Sequence, residues 1–375
     1  IDVNAAWRRL ALRGRLSWRA LRRRRGALLA PAAARFEAWL RLVAPAPTRF
    51  EAVPEPPRGG WILLPVARPE SALRLARVAA DIAEARSAGV LIVAVAAPDG
   101  PSAGAGLDAA TVGERWPATR LAGDAVRAAG LPVGLVVREA ADIGQALRRE
   151  AARRSADLMI FGWSDPPVDD ASARSPDGPA EAWRSDREAE ALRDERRALP
   201  ASLRAVLEYP PADVVVVGGR GEAPHRCLLV PVVDVHDIAG EALEPLRVAT
   251  ELAHRRGSVT ALHIAPEGAS LGDLESASRG LARALELVGL ASAGRLVLRA
   301  PSVVEAVLNA GTTRGYDGVV MAAPRRSYID RLLFGEVQLA IARRCEVPVL
   351  VVRARSGATT YLALRLWHAV YDRVP

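Results

Sequence analysis

Tyr316–Val352 reads YDGVVMAAPRRSYIDRLLFGEVQLAIARRCEVPVLVV. A short apolar run at its start is followed by a polar loop, an amphipathic stretch and a second apolar run, VPVLVV (Val347–Val352). Short runs that are apolar throughout read as strands buried on both faces, and a helix between two of them makes those strands parallel. In a nucleotide-binding α/β domain such a strand-to-helix junction is rich in glycine. Only glycine lets backbone N–H groups close in on a phosphate, and the helix N-terminus then favours the anion. Here the loop keeps Gly335, carries the pair Arg325 and Arg326, and ends with Glu336 opening the helix.

The same alternation extends back to Trp61. WILLPV (61–66), VLIVAV (90–95), LPVGLVV (131–137), DLMIFGW (157–163) and DVVVVGG (213–219) read as strands. Helical periodicity fills 69–89, 120–130 and 141–156. The order then repeats, with RCLLVPVVD (226–234) answering GWILLPVAR and GSVTALHI (257–264) answering GVLIVAVA. Residues 132–162 lie on 292–322 without a gap, setting Gly134 on Gly294, Ala146 on Ala306, Arg154 on Arg314 and Asp157 on Asp317. The fold class is therefore α/β, with two tandem five-stranded, Rossmann-like parallel-sheet domains. The expected boundaries are an arginine-rich arm and proline-rich linker at 1–58, a first domain at 59–222, a second at 223–356 and a C-terminal helix at 357–375. Residues 164–198, rich in proline, serine, aspartate and arginine, read as an insertion, partly disordered, with a polar helix at 180–198.

Composition narrows the function. The chain of 375 residues has a net charge of +8, and every basic side chain is arginine. Residues 1–60 hold 13 arginines against 4 acidic residues, and the remaining 315 are nearly balanced at −1. The pI of 10.4 thus describes an arm rather than the globular part, which argues against nucleic acid as the partner. Cys227 and Cys345 lack the spacing of metal ligands and read as buried free thiols of a reducing compartment. No apolar run reaches the roughly 18 residues needed to cross a bilayer. The five histidines, at 225, 236, 254, 263 and 368, form no close ligand pair, and no nucleophile elbow occurs. Asp234-Val235-His236 is the one polar cluster at a strand end, and it reads as a capped surface turn rather than a catalytic dyad.

Residues 226–353 resemble the universal stress protein family, most clearly between Tyr316 and Val352. Residues 60–218 are similar to a more divergent member. DLMIFGW followed by YPPADVVVV is similar to the paired stress-protein domains appended to bacterial amino-acid permease-type transporters. Together with the opening Ile1 and the arginine-rich arm, this resemblance implies the cytosolic part of a membrane transporter. The resemblance also implies that the last strands, Asp213–Val217 and Pro348–Val352, pair with one another inside one chain as a pseudo-twofold unit.

What the resemblance implies for ATP is less favourable. Family members hold adenosine with an aspartate at the end of the first strand, and phosphates with Gly-x-x-Gly, nine residues and Gly-Ser/Thr. In the second half Val233 takes the aspartate position and Asp234 comes one residue late, turned to the opposite face if the strand runs straight. Ala322 and Arg325 replace the first two glycines, Gly335 keeps the third, and Glu336 replaces the hydroxyl residue. A charge-assisted hydrogen bond contributes roughly 1.5–3 kcal/mol, so losing two or three lowers affinity by several powers of ten. In the first half Ala67 and Arg68 stand at the strand end, Gly162 is retained, Asp165 replaces the second glycine, and Pro200-Ala201 replaces Gly-Ser/Thr.

Two readings of function remain. One is a non-enzymatic regulatory module without a cofactor, on the inner face of a membrane, its residues 1–25 drawn to anionic lipid. The other is a nucleotide sensor binding ATP weakly, with Arg325 and Arg326 gripping phosphates by side-chain forks in place of backbone amides.

Overall fold

The structure of the chain is a computed structural model. It describes residues 48–98, 107–163, 199–208, 210–219, 221, 225–233, 235, 243–254, 257–323 and 336–355. The arm up to residue 47, the 164–198 insertion and the C-terminal helix lie outside the described residues.

The first repeat runs β2 (Trp61–Pro65), α1 (Pro69–Arg86), β3 (Gly89–Ala96), α2 (Ala109–Arg115), α3 (Pro117–Ala128), β4 (Val133–Glu139), α4 (Ile143–Arg153), β5 (Leu158–Gly162), α5 (Ala201–Glu208) and β6 (Asp213–Gly218). The second runs β7 (Cys227–Pro231), α6 (Glu244–Ala253), β8 (Ser258–Ala265), α7 (Leu271–Leu287), β9 (Gly294–Arg299), α8 (Val303–Thr313), β10 (Gly318–Ala322), α9 (Glu336–Arg344) and β11 (Val349–Arg353). The gapless overlay of the repeats extends to their caps. Asp142 accepts from the Gln145 N–H to start α4, and Ser302 accepts from the Glu305 N–H to start α8. Asp317 has a structural task, its carboxylate accepting from the N–H groups of Arg226 and Cys227 at 2.7 and 2.9 Å to anchor the entry to β7.

With β1 (Thr48–Ala52), all strands among the described residues lie in one eleven-stranded sheet, in the order β1-β4-β3-β2-β5-β6-β11-β10-β7-β8-β9. Within each repeat the strands are parallel, and the two repeats meet where β6 pairs antiparallel with β11. That ladder runs from Val349 opposite Gly218 to Arg353 opposite Val214, with Val351 opposite Val216 at its middle. The pseudo-twofold axis passes there. Alternation sends Ile62, Leu64, Leu228, Val230 and Leu350 to one face of the sheet and Leu63, Leu229, Val216 and Val351 to the other. Helices α1, α3, α6 and α7 cover the first face, and α4, α5, α8 and α9 the second. Both cores run through both repeats. An Arg86–Glu251 fork, 2.9 Å in each limb, adds a polar tie between α1 and α6.

The proline-rich stretch before Trp61 is not all tether. Thr48–Ala52 forms β1, antiparallel to β4 at the edge of the first repeat. The reason is electrostatic. Arg138 on β4 and Glu150 on α4 are both almost wholly buried, and Arg138 Nη2 donates to Glu51 at 3.0 Å while its Nε donates to Glu150 at 2.9 Å. Arg154 reaches both carboxylates, and Thr48 also bonds Arg138. Burial alone would push the Glu51 carboxyl up, but hydrogen bonds and charge from Arg153 and Arg154 hold it below the usual carboxylate range. Beside it Arg49 pairs with Glu139 at 2.8 Å.

Candidate functional site

In an open α/β sheet, ligands bind beyond the carboxyl ends of the strands where the crossovers change direction. The strand order puts that point between β7 and β10 in the second repeat, and between β2 and β5 in the first.

At the second-repeat switch point, β7 ends at Pro231. The Val232 N–H donates to Leu262 O at 2.8 Å, and the Val232 carbonyl lies 3.0 Å from His263 Nδ1 on β8. Val233 then projects outward, 82% exposed, while Val235 is buried against Gly280 of α7. Residues two apart on a straight strand share a face, so the chain has already left strand geometry. Asp234 itself, like His236 of the polar cluster, lies outside the described residues.

Across the crevice β10 ends at Ala322, whose carbonyl accepts from Gln338 Nε2 in the first turn of α9 at 3.1 Å. The next N–H, of Ala323, donates to Val352 O at 2.7 Å. The first of these bonds brings the end of β10 and the start of α9 together. Arg325, Arg326 and Gly335 lie outside the described residues. Glu336 is the first residue of α9. Of the six candidates, then, Ala322 and the backbone of Glu336 are brought to the same end of the sheet. Gln338 and His263 were not singled out in the sequence. Their partners are backbone carbonyls far along the chain, which no local pattern marks.

In the first repeat the end of β5 is packed by side chains. Gly162 ends β5, and a Cβ there would stand 2.9 Å from Leu75 Cδ1 of α1. Trp163 follows, 3% exposed, with its N–H donating to Val217 O at 2.8 Å. Its ring lies against Gly218, where an added Cβ would meet it at 2.7 Å. A side chain at 218 would therefore displace the Trp163 ring, whereas at 162 the end of the Leu75 side chain would have to shift. At the position of Gly-Ser/Thr, Pro200 brings no N–H to the start of α5.

Elsewhere the described residues hold no cluster of three or more metal-ligating side chains and no helix long and apolar enough to cross a membrane. Cys345 is buried, which pushes its thiol up and away from reactivity, and Cys227 is half-buried.

Among curated proteins, none matches the sequence. Among solved structures, the chain is similar to a functionally unknown protein from Pseudomonas aeruginosa, at 13% identity over 81% of this chain and 97% of that one, with a TM-score of 0.50. It is similar to a universal stress protein from Archaeoglobus fulgidus at 13% identity, over 80% and 97% of the two chains, with a TM-score of 0.49. A universal stress protein from Archaeoglobus fulgidus in complex with dAMP matches 34% of this chain and 97% of its own, at 19% identity and a TM-score of 0.28. The universal stress protein family matches residues 61–172 and again 231–353, once in each repeat, and the chain belongs to that family.

Proposed function

We propose that this tandem universal stress protein unit is a non-enzymatic regulatory module with degenerate nucleotide sites, and that it forms the cytosolic part of a membrane transporter. The observation on which the first part rests is the burial of Trp163 against Gly218, which takes the residue after β5 into the protein's own core. In the second repeat, exposed Val233 stands where the family resemblance expects an aspartate, and Ala322 where it expects glycine. Neither side chain supplies a donor or acceptor to a nucleotide. The arginine-rich arm supports the transporter assignment, because basic residues beside a bilayer contribute about 1 kcal/mol each to holding anionic lipid.

The alternative is a nucleotide sensor using Arg325 and Arg326. The Gln338–Ala322 bond favours it, because it fastens both ends of the arginine-bearing segment at the switch point. Thermal unfolding with and without millimolar ATP separates the readings. A ligand present at 1,000 times its Kd stabilises by about 4.1 kcal/mol, a shift of several degrees in Tm. Degenerate sites leave Tm unchanged, whereas a shift lost in Arg325→Ala establishes the sensor.

A further inference from the structure

The two outer edges of the sheet are unlike. In the first repeat β4 is covered by β1, which matches it in charge as well as in backbone, Glu51 answering Arg138 and Arg49 answering Glu139. In the second repeat the corresponding strand, β9, pairs only with β8 among the described residues and ends the sheet. Its outer N–H and C=O groups are a template for another strand. In the overlay Arg138 corresponds to Leu298 and Glu150 to Ala310, so the buried charges that recruit β1 have no counterpart here.

β9 carries a different charge pattern. Arg295 and Arg299 are exposed, share one face of the strand with Val297 between them, and have no ion-pair partner among the described residues. Leu296 and Leu298 are half-buried over the second-face core. A second copy is a poor occupant. Antiparallel self-pairing about Val297 sets Arg295 opposite Arg299 at both ends, and like charges directly opposite are destabilising.

We propose that the β9 edge docks an extended acidic segment of a partner protein, which adds antiparallel as β1 does on β4 and sets carboxylates opposite Arg295 and Arg299. The register requires two acidic residues four apart with an apolar residue midway, opposite Val297. The inference rests on the edge alone and stands whether or not either switch point binds nucleotide.

The test is fluorescence anisotropy with labelled SETVTES on the full chain, beside SQTVTQS and SRTVTRS. The acidic peptide is expected to bind at least tenfold more tightly than either control and to weaken with salt. An R295E/R299E variant, altered only at exposed side chains, is expected to lose that binding and gain affinity for SRTVTRS. Hydrogen exchange at 294–299 should slow when SETVTES is bound. Equal affinity for all three peptides, no binding of SETVTES, or binding unchanged in R295E/R299E overturns the proposal. So does a dimer in sedimentation that Val297→Pro dissolves, which assigns the edge to a second copy.

Discussion

Val216 of β6 and Val351 of β11 face each other at the middle of the antiparallel ladder that joins the repeats. Both are buried in the same core, on the same side of the sheet. Val→Ala at either position removes two buried carbon atoms and is expected to cost about 2 kcal/mol, at about 0.8 kcal/mol for each plus a cavity contribution. Because the two residues stand directly opposite in the ladder and share one buried cluster, a double-mutant cycle in urea should show a coupling of about 0.5–1 kcal/mol. Strict additivity would mean that the repeats do not pack as described. Both cores cross the axis, so a single unfolding transition is also expected.

The Arg138–Glu150–Glu51 cluster should behave as a buried ion network. Glu150→Ala leaves the Arg138 guanidinium buried with a weaker set of partners and is expected to cost about 3–5 kcal/mol. Adding Arg138→Leu should recover much of that loss, since apolar residues often replace a buried pair at little cost. That pair of changes copies Leu298 and Ala310 of the second repeat. The folded-state pKa of Glu51 is depressed, so its contribution is present above the ordinary carboxylate range and lost as pH falls through the folded value. Chemical unfolding of Glu51→Gln against the parent, from pH 7 to pH 3, should show the difference between them shrinking in acid.

His225 gives a second pH dependence with a different window. It is 4% exposed with φ +48°, just before β7, and its Nε2 has no partner among the described residues. Burial pushes its pKa down, against the raising charge of Asp317 and together with the lowering charge of Arg74, and Asp81 lies 4.0 Å from Nδ1. The folded chain therefore binds this proton less readily than the unfolded one. Stability from neutral His225 is complete above about pH 6.5 and declines as pH falls through the folded value. His225→Asn, a residue that tolerates positive φ, should flatten the stability curve between pH 6.5 and pH 5. Parallel curves for variant and parent would remove His225 as the cause.

Both repeats, their parallel strands and their gapless overlay were legible because buried strands and amphipathic helices write their periods into the chain. β1 was not. Thr48–Ala52 is short and flanked by prolines, and what docks it is a buried arginine about 90 residues away in sequence. The Ala109–Arg115 helix was missed as well, being short and opened by a side-chain cap on Asp108 rather than by a long apolar stripe. At the strand ends, the positions where the family resemblance expects glycine were legible once that resemblance was laid on the sequence. Trp163 over Gly218 and Gln338 on Ala322 were not, because each joins elements whose proximity only the sheet order creates.

Isothermal titration of ATP into the full chain, with and without magnesium, tests the central claim most directly. No heat at millimolar ATP is the result the proposed degeneracy predicts. Micromolar binding that Arg325→Ala abolishes would contradict degeneracy and make the second repeat a nucleotide sensor.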